Sequence, residues 1–215
     1  MDADFFRAWI AEIAVVVEAQ RDHLTQLDSA IGDADHGINL ARGFGAVEAA
    51  LATADTPTPG AVLQLTGRTL ISKVGGASGP LYGTAFRGAG KALGDAPDVP
   101  PPALAAALAA ALDGVKRLGA ARPGDKTMVD TLTPAVAAFA QAVADGAPLP
   151  AALTALTDAA DAGAHATIGM QASKGRASYL GPRSVGHEDP GAASAALILH
   201  ALRDVAARQP NQPAA

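Results

Sequence analysis

Apolar residues recur at helical spacing along the chain, between short breaks that are rich in glycine or proline. Near the N-terminus, Phe6, Ile10, Ile13 and Val17 would share one face of a helix, because they recur every three or four residues. The same pattern predicts about eight amphipathic helices, and strand-like alternation nowhere persists. The predicted helices span residues 3–26, 38–54, 60–73, 80–93, 101–118, 127–145, 150–170 and 190–208.

Composition agrees with an all-α fold. Hydrophobic residues make up 49% of the chain but aromatic residues only 4%, and alanine is abundant, which favours closely packed helices over sheets. Pro101, Pro150 and Pro190 stand where predicted helices begin, a position at which the missing N–H is harmless. We therefore expect one domain over residues 1–209, an antiparallel up-and-down helical bundle or barrel, and a flexible tail at residues 210–215.

The breaks between the predicted helices are of two kinds that alternate along the chain. The second, fourth and sixth are rich in proline and hold little chemistry, whereas the first, third, fifth and seventh hold almost every glycine–polar cluster. In an up-and-down array of helices, odd-numbered connections emerge at one end. The chain should therefore have one functional end, provided that the helix count is right. The four polar breaks span residues 28–37, 73–80, 118–126 and 172–190.

Charge and composition exclude several classes of protein. The formal net charge of −5 argues against a nucleic-acid partner, and the lack of cysteine excludes disulfides and thiolate metal sites. The most apolar stretch, residues 10–17, is interrupted by Glu12 and is too short to span a bilayer. The N-terminus lacks the basic start of a signal peptide. We expect a cytoplasmic protein with no membrane partner.

Three aspartates in the first break carry the strongest chemical signal. Asp28, Asp33 and Asp35 lie close together in the sequence. Two carboxylates about 5 Å apart repel each other by roughly 3 kcal/mol at an effective dielectric constant near 20. Three of them would need a hard cation such as magnesium, calcium or manganese. Alternatively, Asp28 precedes a turn while Asp35 or Asn39 caps the helix that follows.

A calcium-binding EF-hand does not fit the first break, although Asp33 and Asp35 match its first and third positions. The fifth position would be Gly37 and the twelfth would be Phe44, and neither side chain can bind calcium. His36 alone says little, since a histidine in a polar loop is more often a hydrogen-bonding bystander than a ligand.

The third and fifth breaks each run into a predicted helix. The glycines of residues 73–80 could expose N–H groups to an anion at a helix start, although a tight turn with a cap explains them equally well. In the fifth break Asp125 or Thr127 can cap the next helix, with Asp130 in its first turn, and we expect both aspartates to serve this capping role. Lys126 could contact a phosphate, but a surface lysine beside a cap is the simpler expectation.

The seventh break is the longest, and a polar loop of this length is usually functional or disordered. It contributes Lys174, Arg176 and Arg183, where the first break contributes carboxylates. Carboxylates for a metal and cations for phosphate at one end of a bundle suggest a metal–polyphosphate site. A solvated charged loop is the alternative.

Together these breaks resemble the DhaL family, the nucleotide-binding subunits of bacterial dihydroxyacetone kinases, which also occur as the C-terminal domain of single-chain kinases. The family usually has glycine where Ala34 stands here. The resemblance rests on motifs in family order: IGDADHG at 31–37, GGASGPLYG at 75–83, GDKTMVD at 124–130, GRASYLG at 175–181 and GHEDPG at 186–191.

The resemblance implies an eight-helix antiparallel barrel that binds ADP or ATP at one rim. It implies that Asp28, Asp33 and Asp35 hold two magnesium ions and that Arg176 is catalytic. Ser78 would meet phosphate oxygens, while Met128 would line the adenine pocket. The expected nucleotide contacts are His36, Gly37, Ile38, Asn39, Ala77, Ser78, Gly119, Met128, Arg176, Asp189, Pro190 and Gly191.

The resemblance also implies an activity and partners. The expected function is that of the phosphoryl-donor subunit, which transfers phosphoryl to dihydroxyacetone held covalently on a DhaK-type partner and is recharged by a DhaM-type phosphotransferase subunit. One alternative is an ATP-exchanging kinase subunit for a related ketose or aldose. Another is a non-catalytic nucleotide-sensing module that binds a regulator. The distant fatty-acid kinase relatives carry threonine at the position of His36 and are disfavoured.

Overall fold

A computed structural model describes residues 1–208, which form nine α-helices, two 3-10 helices and no strand. No helix in this range is both long enough and apolar enough to cross a membrane. The predicted tail at residues 210–215 lies outside the described residues. The α-helices are α1 Ala3–Ala19, α2 Arg21–Ile31, α3 His36–Thr53, α4 Pro59–Lys73, α5 Ser78–Leu93, α6 Pro101–Gly119, α7 Met128–Ala144, α8 Leu149–Ala166 and α9 Pro190–Arg208. The 3-10 helices are Thr167–Gly169 and Arg176–Ser184.

The prediction of an all-α fold is confirmed, but the first predicted helix is wrong as a single element. The backbone of Gln20 leaves the helical region, with φ −101° and ψ 8°, and divides residues 3–26 between α1 and α2. Helix α2 then continues to Ile31, so Asp28 lies in its last turn rather than in a loop. Each other predicted helix corresponds to one observed helix whose ends differ by a few residues.

The helices close into a ring. From α3 to α9 each helix packs against the next one in the chain, α9 packs against α1, and α1 packs against α3. Helix α2 is not a member of this ring and packs mainly against α3 and α9. At the closure, the indole N–H of Trp9 in α1 donates to the carbonyl of Ile198 in α9 at 3.0 Å. Eight helices therefore enclose a barrel. Because α2 is not one of them, the division at Gln20 does not change which connections of the barrel alternate along the chain.

Small residues let neighbouring helices approach closely. A Cβ atom on Gly67 of α4 would lie 2.5 Å from the carbonyl oxygen of Gly83 in α5, so a side chain there would force the helices apart. Several aromatic residues pack together in the interior, where the ring centroids of Trp9 and Phe86 lie 5.6 Å apart and those of Phe44 and Phe86 lie 6.1 Å apart. The closely packed barrel wall supports the polar connections at its end.

Candidate functional site

The four glycine–polar connections meet around one cavity of about 630 Å³. Its walls come from the segments 28–36, 75–78, 119–129 and 173–191. Ligand cavities in proteins commonly have a volume of this order. The prediction that the polar connections share one end of the bundle is therefore confirmed: connections that alternate along the chain with inert ones converge on a single pocket.

Three carboxylates are gathered at this cavity. Asp28, Asp33 and Asp35 each offer one oxygen atom, and these oxygens all lie within 4.8 Å of one another. Asp28 is buried and Asp33 is exposed, so the group is anchored on one side and open to the cavity on the other. Three carboxylate oxygens form a donor set suited to a hard divalent cation such as magnesium.

The side chain of Asp28 also fixes the start of α3. Its Oδ2 atom accepts hydrogen bonds from the backbone N–H groups of Asp35 at 2.9 Å and His36 at 3.2 Å. Asp35 itself makes no capping bond, so the alternative that Asp35 or Asn39 caps α3 is wrong. The second oxygen, Oδ1, faces Gly32, where the lack of a side chain leaves room beside it. The residues present therefore fit a bound magnesium ion.

Backbone strain is concentrated in the connections around the cavity. Within residues 1–208, three residues other than glycine have a positive φ: Ala34 at 61°, Ala120 at 45° and Lys126 at 61°. All three lie in connections that form the cavity walls. Non-glycine residues rarely adopt this conformation, and such strain tends to occur at functional sites.

A buried chain of hydrogen bonds holds the hydroxyl group of Ser78. The His36 ring contacts Ser78 Oγ through Nδ1 at 3.0 Å and Ser194 Oγ through Nε2 at 2.8 Å. Ser194 Oγ lies 2.6 Å from the hydroxyl of Tyr82, and this hydroxyl also donates to the carbonyl of Gly191. Burial lowers the pKa of His36 and raises that of Tyr82, which favours the neutral form of both. His36 is thus a structural part of the site rather than a bystander.

The connection between α6 and α7, which was the fifth break in the sequence and which we call the fifth connection, is ordered by its polar side chains. Thr127 is the N-cap of α7, and Asp130 completes a capping box with it, so the expected role of Asp130 is confirmed. Asp125 does not cap the helix: its carboxylate accepts from Ser173 Oγ at 2.6 Å and from the N–H of Arg122 at 2.9 Å. The bond from Ser173 is the main reason why the pKa of Asp125 lies below its ordinary value.

Two charged groups in the connection between α8 and α9, the seventh break in the sequence, face the cavity. The guanidinium Nε of Arg176 lies 3.0 Å from Oδ2 of Asp33, and both side chains are exposed. Asp189, in contrast, is only half-buried, and desolvation raises its pKa to about 7 although its carboxylate accepts a hydrogen bond from the N–H of Ala192 at 2.8 Å. Much of this connection is helical rather than irregular, since it contains the 3-10 helix Arg176–Ser184.

The sequence pattern of the DAK2 domain matches residues 30–204. The chain belongs to the DAK2 domain family. The ADP-binding subunit DhaL of the PEP-dependent dihydroxyacetone kinase of Escherichia coli (strain K12) is 43% identical over 194 residues, which cover 90% of this chain and 92% of that subunit. The corresponding subunit of dihydroxyacetone kinase 1 of Listeria innocua serovar 6a is 41% identical over 201 residues, which cover 94% of this chain and 96% of that subunit.

The DAK2 fold is also seen in a solved structure, the dihydroxyacetone kinase of C. freundii in complex with AMP-PNP and Mg2+. The TM-score is 0.70 at 28% sequence identity, over 95% of this chain. The match covers 34% of the C. freundii chain, so this DAK2 domain corresponds to about a third of that kinase. The resemblance to the DhaL family is thereby confirmed.

Most of the residues predicted for the site of this DAK2 domain line the cavity. Gly37, Ile38 and Asn39 do not. A Cβ atom on Gly37 would lie 2.0 Å from the carbonyl oxygen of Arg21, Ile38 is 51% exposed, and the Asn39 side chain accepts from Arg42 at 2.8 Å. The predicted residues that line the cavity are Asp28, Asp33, Asp35, His36, Ala77, Ser78, Gly119, Met128, Arg176, Asp189, Pro190 and Gly191.

Three polar side chains of the DAK2 site, those of Tyr82, Ser194 and Lys126, were not predicted from the sequence to be part of it. Tyr82 lies at the cavity wall and Ser194 behind it, and both hold the hydrogen-bond chain of His36. Lys126 is 1% exposed, so the expectation of a surface lysine is wrong. The polar Ser194 within the apolar run of α9 is a signal that could have been used. Nothing local in the sequence marks Lys126 as buried.

Proposed function

We propose that this DAK2-domain chain is the phosphoryl-donor subunit of a dihydroxyacetone kinase. It holds a magnesium–adenine nucleotide in the cavity and transfers phosphoryl to dihydroxyacetone carried by a DhaK-type partner. One observation carries the proposal: Asp28, Asp33 and Asp35 share a cavity with Ser78 and Arg176. Carboxylates that suit a metal thus lie in one cavity with a hydroxyl and a cation that suit phosphate.

The relatives support the same activity. Two of them are named ADP-binding subunits of PEP-dependent dihydroxyacetone kinases, and they match nearly the whole chain. Their dependence on PEP favours bound ADP that is recharged by a DhaM-type phosphotransferase subunit over free exchange of ATP. Both partners, like the expected cytoplasmic location, stay predictions. The alternative with ATP exchange predicts an empty site after purification.

In this proposal the three aspartates bind magnesium, and Ser78 with the start of α5 positions the phosphates. Asp28, Asp33 and Asp35 hold magnesium, which when bound neutralises charge on the phosphate oxygens. Ser78 stands at the first position of α5, where backbone N–H groups and the helix dipole favour an anion. Because His36 holds its Oγ atom, the Ser78 hydroxyl is oriented before the nucleotide arrives.

Arg176 is the proposed catalytic residue. Its ion pair with Asp33 is formed by two exposed side chains, and such pairs are worth only about 1 kcal/mol or less. The guanidinium can therefore leave Asp33 for a phosphate at little cost, which also frees Asp33 for the metal. A guanidinium beside the transferred phosphoryl group stabilises the charge that develops during transfer.

Another part of the cavity wall is apolar and fits an adenine ring. Met128 and Val115 are buried there, and Leu81 and Gly119 complete the surface. A Cβ atom on Gly119 would lie 3.4 Å from the Leu81 side chain, so a larger residue would narrow this slot. Van der Waals contact with such a surface selects a flat aromatic base by shape.

The proposal is tested by purifying the chain, denaturing it and identifying any released nucleotide. Retained ADP supports the subunit that is recharged in place, and an empty site that binds Mg–ATP supports the version that exchanges ATP. Binding of neither nucleotide in the presence of magnesium would contradict the proposal. Asp33→Asn should abolish the magnesium-dependent binding while the chain remains folded, as judged by its helical circular dichroism.

A second measurement separates the enzyme subunit from a nucleotide-sensing module. The loaded chain is mixed with a DhaK-type subunit, dihydroxyacetone and the phosphoryl donor, and the formation of dihydroxyacetone phosphate is followed. A sensing module would bind the nucleotide but leave dihydroxyacetone unchanged. Loss of product formation in Arg176→Ala, with nucleotide still bound, would support the catalytic role of the guanidinium.

A further inference from the structure

Lys126 is the only buried lysine or arginine within residues 1–208, with 1% of its surface exposed. Lysine is almost never fully buried unless its charge is compensated. Here the ammonium donates hydrogen bonds to two backbone carbonyls, those of Thr167 and His187. Asp130 and Asp189 add a favourable electrostatic interaction, although desolvation still lowers the pKa of Lys126.

The two carbonyl groups lie at the two ends of the segment that joins α8 to α9, residues 167–189, which we name the long connection. Two further bonds join the same ends: the N–H of Gly186 donates to the carbonyl of Ile168 at 2.8 Å, and the N–H of Asp189 donates to Thr167 Oγ1 at 3.0 Å. Lys126, which lies outside the long connection, therefore joins its two ends, which we call its base. This closure reduces the number of conformations that the long connection can adopt.

Asp125, the residue before Lys126, also holds the long connection, at Ser173. Asp125 accepts from Ser173 twice, through its carboxylate at 2.6 Å and through its backbone carbonyl at 3.2 Å. Ser173 lies just before Lys174 and Arg176 in the cavity wall. Two consecutive residues of the fifth connection thus fix both the base and the cavity side of the long connection.

The backbone of Lys126 adopts a conformation that its residue type disfavours. Its φ of 61° is a conformation that glycine adopts easily and lysine rarely does. Such a conformation persists only when the surrounding contacts impose it. The two hydrogen bonds of the Lys126 ammonium to the long connection are among the contacts that hold this conformation.

We propose that Lys126 is a positioning residue that fixes the long connection as one wall of the nucleotide cavity and so places Arg176 and Asp189. The inference rests on the proposed function, since it assigns the effect to nucleotide binding. Lys126 is followed by Thr127 and Met128 at the start of α7. The ammonium therefore joins the wall at Met128 to the wall at Arg176 and keeps their spacing constant.

The test compares Lys126→Met, which keeps the length of the side chain but cannot donate, with Lys91→Met on the exposed surface of α5. Binding of Mg–ADP is measured by calorimetry, and hydrogen exchange is measured by mass spectrometry without nucleotide. For Lys126→Met we expect the dissociation constant to rise by roughly tenfold or more, because preorganisation of the wall is lost. Exchange should accelerate in residues 170–186 but not in α4 or α5. Lys91→Met should match the wild type in both measurements.

A second variant keeps the proposal falsifiable if Lys126→Met does not fold. Lys126→Gln retains two N–H donors on a shorter side chain and should restore part of both the affinity and the exchange protection. A role of Lys126 in general stability alone would instead accelerate exchange throughout the barrel. That result, or failure of both variants to fold, would overturn the positioning role.

The remaining outcomes separate this inference from the proposed function. If the wild type binds neither Mg–ADP nor Mg–ATP, the proposed function fails, and Lys126 is judged by hydrogen exchange alone. If Lys126→Met loses affinity while residues 170–186 keep their protection, the ammonium contacts the nucleotide directly and the positioning role is wrong. Unchanged affinity together with unchanged exchange would also overturn it.

Discussion

The Oδ1 atom of Asp28 occupies the space that a side chain on Gly32 would need, since a Cβ atom built on Gly32 lies 2.0 Å from it. The two residues are one helical turn apart, at the end of α2 and at the position that follows it. The glycine therefore leaves room for the carboxylate of Asp28, which offers one of its oxygens to the aspartate cluster.

Gly32→Ala should displace the Asp28 carboxylate and weaken magnesium-dependent ADP binding about ten- to a hundredfold, as loss of support around metal ligands commonly does. Calorimetry with and without magnesium measures the effect. Gly45→Ala in α3 is the matched control, because a Cβ atom there meets nothing within 4 Å. The control should bind normally and gain about 0.5–1 kcal/mol of stability. Equal affinities in the two variants would contradict the assigned role of Gly32.

Two substitutions of Asp28 should separate its structural role from its metal role. Asp28→Ala removes the acceptor of two N–H groups at the start of α3, so the free energy of unfolding should fall by about 1–2 kcal/mol. Asp28→Asn keeps a carbonyl oxygen as acceptor and should lose less stability. Both variants should lose magnesium-dependent binding of ADP. Urea denaturation and calorimetry check the two effects, and normal metal binding by Asp28→Asn would exclude Asp28 as a ligand.

That the four polar connections lie at one end of the bundle could be predicted, because this depends on the local composition of the breaks. Proline-rich and glycine–polar breaks alternate visibly in the sequence, and an antiparallel array places alternate breaks together. The buried position of Lys126 could not be predicted, because its partners Thr167 and His187 lie 41 and 61 residues away. The capping role of Asp28 was missed because the end of α2 was read as a loop. A helix boundary is the least certain part of such a prediction.

Ala34 has a φ of 61° between two of the clustered aspartates, a conformation that costs alanine about 1–2 kcal/mol. Ala34→Gly should remove this strain, while greater freedom of the unfolded chain offsets about 0.4–1 kcal/mol. We therefore expect a gain of up to about 1 kcal/mol in the free energy of unfolding, measured with urea. Ala49→Gly, on the exposed face of α3, should instead destabilise by about 1 kcal/mol. A fall in the free energy of unfolding in both variants would show that residue 34 is not strained.

Asp189 should make the stability of the protein depend on pH. Burial raises its pKa to about 7 from an ordinary value of 3.8, so the folded state holds the proton more tightly than the unfolded state does. Its contribution to stability is complete below about pH 4 and is lost as the pH rises through about 7. The full change corresponds to at most about 4 kcal/mol, because solvent screens part of the effect on a half-buried carboxyl group.

Asp189→Asn tests this dependence, because its side chain stays uncharged and its carbonyl oxygen can still accept from the N–H of Ala192. Urea denaturation between pH 5 and pH 8 is compared for the two proteins without nucleotide, so that other titrating groups cancel in the difference. The stability of the wild type should fall relative to that of the variant up to about pH 7 and then run parallel to it. Parallel curves throughout would mean that Asp189 is already ionised in the folded protein at low pH, with Lys126 compensating its charge.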